Sequence, residues 1–543
     1  MKHSSSTFPG GLSLPGRKQA STRVPIAPAR LPRELILPLH QHIGEAAEPV
    51  ITVGERVLKG QLIARCKGYI SAPIHAPSSG VVTAITELPV PHPSGLTGRC
   101  LVIETDGLEQ WAERRPMADY TQLAPSVLRQ RIREAGIVGL GGAGFPSAVK
   151  LNPGPERHID TLILNGAECE PYISCDDMLM RERATEIGQG LQIMQHITGA
   201  RTCIIGVEDD KPEAIRALYD SMAALGLQGR VEIATIPTRY PVGGEKQLIK
   251  LLTGREVPSG KLPADVGVIC HNVGSAAAVY RAVVHGEPLI SRIVTVTGGA
   301  VGRARNLEVL IGTPVRELLE QCDADFEGIE RLIMGGPLMG VTLATDEVPV
   351  LKTTNCVLAA TPADLGCRQP TLPCIRCARC AEVCPVELLP QQLYWFAHAK
   401  AFDKAQEYHL FDCIECGCCA YVCPSQIPLV QYYRYAKGEI AARERERQTA
   451  EHARHRFESR QQRLEREEAE RATRLAQKQA PWDAPSRGAP GEATEAKQAA
   501  IQAAIERIQA KRRALEALTQ GCSEVKHSTA AEARPQAEHE TDR

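Results

Sequence analysis

One pattern of cysteines constrains this chain more than any other feature. Cys374-Ile-Arg-Cys377-Ala-Arg-Cys380-Ala-Glu-Val-Cys384-Pro385 has the spacing C-x2-C-x2-C-x3-C-P, and Cys413, Cys416, Cys419, Cys423 and Pro424 repeat it. Thiolates at this spacing hold [4Fe-4S] cubanes, and the fourth cysteine of each run ligates the cluster of the other run. The first three cysteines are expected on a tight loop that wraps three corners of a cubane, with the fourth starting a helix that turns toward the other cluster. On that logic Cys374, Cys377, Cys380 and Cys423 hold one cluster, and Cys413, Cys416, Cys419 and Cys384 hold the second. Zinc also uses C-x2-C pairs, but four thiolates per zinc give no reason for the doubled run with its prolines. Cys418 and Cys367 stand near the motifs and read as small buried thiols rather than spare ligands.

The rest of the composition narrows the setting. A chain of 543 residues exceeds one core and predicts four or five domains. Lys+Arg of 63 against Asp+Glu of 64 leaves a formal net charge of -1, without the basic field that nucleic-acid binders use. Met1 to Ser6 lacks the apolar run of a secretory signal, and no run of about 18 apolar residues occurs. The expectation is a cytosolic chain, or one attached to a membrane through partners. In such a reducing setting 19 cysteines point to metal or redox chemistry, not to a disulfide framework.

Along the chain the patterns change several times. Residues 1–30, rich in Ser, Pro and Gly, predict a flexible N-terminus. Over 31–115 short Val/Ile runs punctuated by glycine predict small antiparallel β-structure that resembles the barrel-sandwich hybrid of lipoyl and biotinyl carriers. No lysine sits at a matching hairpin tip, so this module reads as a scaffold without lipoylation. Residues 116–290 alternate helical and strand patterns, as in an α/β domain: Ser126 to Ala135 is amphipathic, while Thr161 to Leu164 and Arg201 to Val207 are strands. Residues 291–350 suit a small β-grasp unit with one short helix, Pro314 to Gln321. The cluster module follows over 351–435. From 436 to 543 a charged tail predicts a solvated helix or disorder, interrupted over Pro481 to Gly491. Beyond it, Ile501, Ile505, Ile508, Leu515 and Leu518 form one helical stripe.

Four segments of the α/β region carry ligand-type chemistry. Gly139-Leu-Gly141-Gly142-Ala-Gly144 contains a literal G-x-G-x-x-G, yet it follows a helix, where a dinucleotide fingerprint must follow a strand. Such a loop can still bring backbone N–H groups to a phosphate, with Lys150 adding charge. Asn165 and Glu168-Cys169-Glu170-Pro171 lie just behind a strand, where asparagine can meet a flavin ring and carboxylates can hold ribose or ribityl hydroxyls. Tyr240-Pro-Val-Gly243-Gly244-Glu245-Lys246 and His271-Asn272-Val273-Gly274-Ser275 add further glycine and polar groups. Each alone reads as an ordinary turn; four within one domain beside two cluster motifs do not.

These segments resemble the FMN- and NADH-binding segments of the 51-kDa subunit of respiratory complex I. The order of parts is similar to that of the C subunit of the Rnf/Rsx electron-transport complex, over about residues 10 to 435. That order is barrel-sandwich module, flavin domain, β-grasp unit of the SLBB kind, bacterial two-cluster ferredoxin module and charged tail. The resemblance implies a flavin domain that is Rossmann-like in a broad sense. It implies FMN on Gly139, Gly141, Gly142, Gly144, Lys150, Asn165 and Asn272, and NADH near Glu168, Glu170, Gly244 and Glu245. The sequence departs at Ala167, where complex I usually carries an acidic residue. NADH gives two electrons at once and a cluster accepts one, so a flavin between them is the chemical adaptor. The implied activity is the NADH side of a membrane-bound, ion-translocating NADH:ferredoxin oxidoreductase, peripheral on the cytoplasmic face of the inner membrane. The implied partners are other subunits and a ferredoxin-like carrier, with no nucleic acid. A soluble reductase of the cobalamin-reductase type and a non-catalytic electron conduit remain as alternatives.

Overall fold

The computed structural model describes residues 8–92, 94–154, 156–366, 370–479 and 493–524, with side chains in the last segment over 497–513. The chain divides into two compact units, one through Arg447 and one from Gln448 on. The boundaries expected near 115, 290 and 350 all fall inside the first.

The first unit opens with antiparallel β-structure. One sheet orders Glu34–Pro38, Thr97–Thr105, Gly80–Pro89 and Arg56–Val57; a second orders Glu48–Pro49, Leu62–Arg65 and Ile74–His75. Alternate residues such as Leu35, Leu37, Val57, Ile63, Leu101 and Ile103 are fully buried, which gives the period-two pattern its physical sense.

The α/β region is built on a parallel sheet of four strands. Its spatial order is Val231–Ile236, Thr202–Glu208, Thr161–Gly166, Val268–Asn272. Thr161–Gly166 is an apolar run covered on both faces, as a central parallel strand requires. The chain order reverses between Thr161–Gly166 and Val268–Asn272, where Asn165 pairs in register with Asn272 at the strands' C-terminal ends. Connections leaving such a switch point diverge and open a crevice there. The glycine loop reaches the same crevice after the helix Pro125–Glu134, with Gly139 N–H donating to the Phe145 carbonyl over 2.8 Å to close it.

A mixed sheet follows, in the order Ala27–Pro28, Arg305–Leu310, Ser291–Thr297, Cys356–Ala360, Arg331–Met334, Val341–Thr342. The helix Val315–Gln321 packs Val315, Leu318 and Leu319 onto Val294, Val296, Leu307 and Val309. Two expectations need correction here. The boundary at 350 excludes Cys356–Ala360, which lies inside this sheet and not in the cluster module. Residues 8–30 are not loose. Phe8 is buried against the α/β sheet, Gly11 N–H donates to the Val383 carbonyl, Lys18 donates to the Glu168 carbonyl, and Ala27–Pro28 adds a strand to a sheet nearly three hundred residues downstream. Composition predicts disorder there because every partner is distant in sequence.

The cluster region is capped by the helix Leu429–Gln479, which contributes Leu429, Val430, Tyr433 and Ala436 to its core. In the second unit the described residues after Gln448 are helical to Gln479 and again over Ala493–Glu524. There Ile501, Ile505 and Ile508 are exposed; the side chains of Leu515 and Leu518, and the interruption at 481–491, lie outside the described residues. Among the described residues, no helix is long and apolar enough to cross a membrane.

Candidate functional site

A cavity of about 690 Å³ opens at the crevice between Asn165 and Asn272 and extends under the mixed sheet to Met334 and Thr354. This volume falls within the range of cofactor sites. Of the residues singled out in the sequence, Gly141, Gly142, Asn165, Glu168, Glu170, Gly244, Glu245 and Asn272 line it. Gly139, Gly144 and Lys150 do not. Gly139 closes the loop, and Gly144 sits under Thr353. Lys150 forms an ion pair with Glu245, so its charge reaches the cavity only through that carboxylate.

The polar lining is held in place by the backbone. Asn165 Nδ2 donates to the Gly243 carbonyl over 2.8 Å, and its Oδ1 accepts from the Ala167 N–H. Asn272 caps the helix Val273–Tyr280 by accepting from the Gly274 N–H, while its Nδ2 donates to Asp176 over 2.6 Å. Glu168, in left-handed backbone, accepts the N–H groups of Asp176 and Asp177 at the start of the helix Cys175–Glu182. Glu170 accepts the Leu338 and Met339 N–H groups through one oxygen, and burial pushes its carboxyl up from the usual range. Both carboxylates therefore line the cavity while bracing its walls.

Two features fit a phosphate-bearing flavin. Gly142 has φ +116°, and a Cβ there would meet no protein atom within 4 Å; because the residue lines the cavity, a side chain would stand in the ligand space. Gln247, also in the lining, has a buried Oε1 with no protein partner. Sequence reasoning missed Asp176 and Gln247; Tyr240, which opens one of the four segments, lines the cavity too. Asp176 reads as an ordinary acid in a first helical turn, and Gln247 as one residue of an amphipathic helix; only the fold turns them toward the cavity.

The two cysteine runs adopt matching backbone. Arg376 and Ala378 in the first, and Glu415 and Gly417 in the second, all take positive φ, as do Glu387 and Gln426 beyond the fourth cysteines. Only Gly417 among these is glycine, and a Cβ there would approach the Leu338 carbonyl to 3.0 Å. Cys374, Cys377, Cys380 and Cys423 line one small cavity; Cys384, Cys413, Cys416 and Cys419 line another. Each therefore draws three thiols from one run and one from the other. One detail is corrected: the fourth cysteines do not start helices. Short helices, Arg379–Glu382 and Cys418–Tyr421, carry the third cysteines and end just before the fourth. Cys418 is fully buried and lines the second small cavity; Cys367 lies outside the described residues.

The second small cavity adjoins the main one. Ile414 and Tyr240 line the main cavity, and Tyr240 Oη donates to the Cys416 carbonyl. Cys384, Cys416 and Cys419 are buried, whereas Cys377 is exposed. One set of four is thus internal and the other near the surface.

Comparison with known proteins agrees with this architecture. The model of the RnfC barrel sandwich hybrid domain matches residues 6–108, the Nuo51 FMN-binding domain residues 132–281, and the 4Fe-4S dicluster domain residues 373–427. The C subunit of the ion-translocating oxidoreductase complex of Pseudomonas aeruginosa is 54% identical over 465 residues, covering 86% of this chain and 60% of that protein. Its namesake from Vibrio cholerae is 52% identical over 511 residues, covering 94% and 65%. That of Pectobacterium atrosepticum is 48% identical over 507 residues, covering 93% and 71%. The chain spans about three-fifths to two-thirds of the length of the first two. With an FMN-binding domain, a 4Fe-4S dicluster domain and this degree of identity, the chain belongs to the family of C subunits of the ion-translocating oxidoreductase complex.

Proposed function

We propose that this chain is the NADH-oxidising subunit of a membrane-bound NADH:ferredoxin oxidoreductase that translocates ions, peripheral on the cytoplasmic face of the membrane. The observation that carries the reading is the contact between the main cavity and the internal thiol set: Ile414 lines both, and Tyr240, in the main lining, donates to the Cys416 carbonyl. FMN, when bound, supplies the exchange between one hydride and two single electrons. Gly141 and Gly142 leave room for its phosphate, Asn165 and Asn272 frame the crevice, and Gly244 with Glu245 forms the side toward which NADH would lie. Cys384, Cys413, Cys416 and Cys419 would hold the cluster nearer the flavin. Cys374, Cys377, Cys380 and Cys423 would hold the outer one, from which a ferredoxin-like carrier or another subunit takes electrons. The finer fold reading is supported by topology: the reversed parallel sheet suits a Rossmann-like domain, and the mixed sheet with one helix suits an SLBB-type β-grasp.

Anaerobic titration with NADH tests this. The expected result is bleaching of flavin and cluster absorbance in the isolated chain. A chain that holds both cofactors and bleaches with dithionite but not with NADH would be a conduit, and the proposal would fail. Recovery with integral membrane proteins on purification separates membership of a membrane complex from a soluble reductase.

A further inference from the structure

A second cavity, of about 360 Å³, lies beside the first. It runs between the segment at Pro28, the Trp111 region and the helices Cys175–Glu182 and Val273–Tyr280. Among the described residues, Asp176 alone lines both cavities. Toward the main cavity its carboxylate accepts from Asn272 Nδ2. Gly274 lines the second cavity, and a Cβ placed on it would stand 3.6 Å from Asp176 Oδ1, so the missing side chain leaves the carboxylate uncovered there.

The second cavity has a mixed lining, in which polar groups stand among apolar ones such as Leu31, Leu179 and Ile290. Ser291 donates to Glu308, which pairs with Arg183 over 2.6 Å and with Arg281 over 2.9 Å. Farther out, Lys59 pairs with Glu109, an exposed residue. A space of this size has room for several waters, and these polar side chains give them partners. The groups that bear on Asp176 are Glu168 from the loop behind the parallel sheet, Arg292 from the mixed sheet, Lys18 from the N-terminal segment and the neighbouring Cys175 thiol. Burial, and then the Glu168 charge, raise its carboxyl above the usual range. A carboxyl so placed takes up and gives back protons nearer neutrality than an exposed one.

We propose that Asp176 carries protons between the main cavity and water in the second cavity. The inference rests on the flavin reading of the main cavity. When the reduced flavin loses its two electrons to one-electron acceptors, a proton leaves the ring. That proton moves onto an Asp176 oxygen and then to water in the second cavity. The carboxylate is regenerated and no other bond changes.

A positioning role and a proton-carrying role separate in one experiment. The full chain, loaded with FMN and clusters and photoreduced without oxygen, is mixed with ferricyanide and a pH-indicator dye in stopped flow. Flavin absorbance reports electron loss, and the dye reports proton release. Asp176→Asn keeps an acceptor for Asn272 but cannot exchange a proton. It should hold flavin at the wild-type level and release protons on the order of a hundredfold more slowly, the scale of a positioned proton-transfer group. Added formate should restore the rate. Ala278→Leu, which fills the second cavity from the helix Val273–Tyr280, should slow the dye signal while flavin content is unchanged. An unchanged dye rate in both variants overturns the proposal. Slow release that formate does not restore, with an altered flavin spectrum, overturns it too and leaves Asp176 a positioning residue for Asn272. A wild-type chain that fails to hold flavin would instead overturn the flavin reading itself.

Discussion

Tyr240 donates its hydroxyl to the Cys416 carbonyl oxygen over 2.7 Å, so one buried side chain both walls the main cavity and tethers the loop of the internal thiol set. Burial holds its phenol far above the ordinary range, which keeps it a neutral donor. Tyr240→Phe removes the donor and leaves a buried carbonyl unpaired, at a cost of about 1–3 kcal/mol. The expected outcome is a shifted EPR signal and midpoint potential for one cluster only, that of Cys384, Cys413, Cys416 and Cys419. Equal shifts in both clusters would count against the cavity-side assignment.

Chemical analysis of anaerobically prepared chain should give about eight iron atoms and about eight sulfides, two cubanes' worth. Stoichiometric zinc with little sulfide would overturn the cluster assignment. Because Cys384 lines the cavity of Cys413, Cys416 and Cys419, Cys384→Ser should damage that cluster and spare the other. Cys423→Ser should do the reverse. EPR of the two variants reads the exchange directly.

Gly142→Val should lose flavin. The position is left-handed, where a β-branched residue is strained, and its side chain would enter the cavity. Gly438→Ala is the control: the glycine lies within the helix Leu429–Gln479 with open space around it, and alanine there should keep flavin and add about 0.4–1 kcal/mol of stability. Flavin content after gel filtration is the measurement.

Lys352 should make stability rise with pH. Among the described residues its fully buried ammonium has no carboxylate partner; Nζ donates to the Pro73 and Gly136 carbonyls over 2.7 and 2.8 Å, two bonds that a neutral amine also makes. Burial lowers its pKa from 10.5 to about 7. Between those values the unfolded chain binds the extra proton, so stability increases as pH rises through the window and is lost as pH falls toward about 7. The contribution is on the order of a few kcal/mol. Lys352→Met should flatten that part of the profile, as read from unfolding midpoints of both proteins across the window. Parallel profiles would refute it.

A chain ending at Arg447 should keep both clusters, flavin and NADH-dependent bleaching. All the residues proposed to hold cofactors precede that point, and Arg443, which stacks on Phe402 with its guanidinium 4.7 Å from the ring centre, is retained. Loss of cofactors on truncation would mean that helix beyond Arg447 supports the cluster core. Membrane recovery of the shortened chain asks separately whether the tail serves docking.

The sequence by itself determined what is local or periodic. The two cysteine runs, the antiparallel β-module, the helix near Pro314 and the glycine loop after a helix were all legible, because spacing and short-range pattern encode them. Tertiary structure decided what depends on distant partners. Ala27–Pro28 became a sheet strand only because Arg305–Leu310 offered it an edge, and Cys356–Ala360 joined that sheet across a boundary drawn by composition. Asn165 and Asn272 were named separately in the sequence, but only the parallel register set them side by side at the switch point. Lys150 promised a free charge, and packing gave it to Glu245. Asp176 carried no signal at all, since a carboxylate in a first helical turn looks the same whether it faces solvent or divides two cavities. Its role was set by burial and by which strands and loops the fold brought around it, quantities that no single stretch of sequence contains.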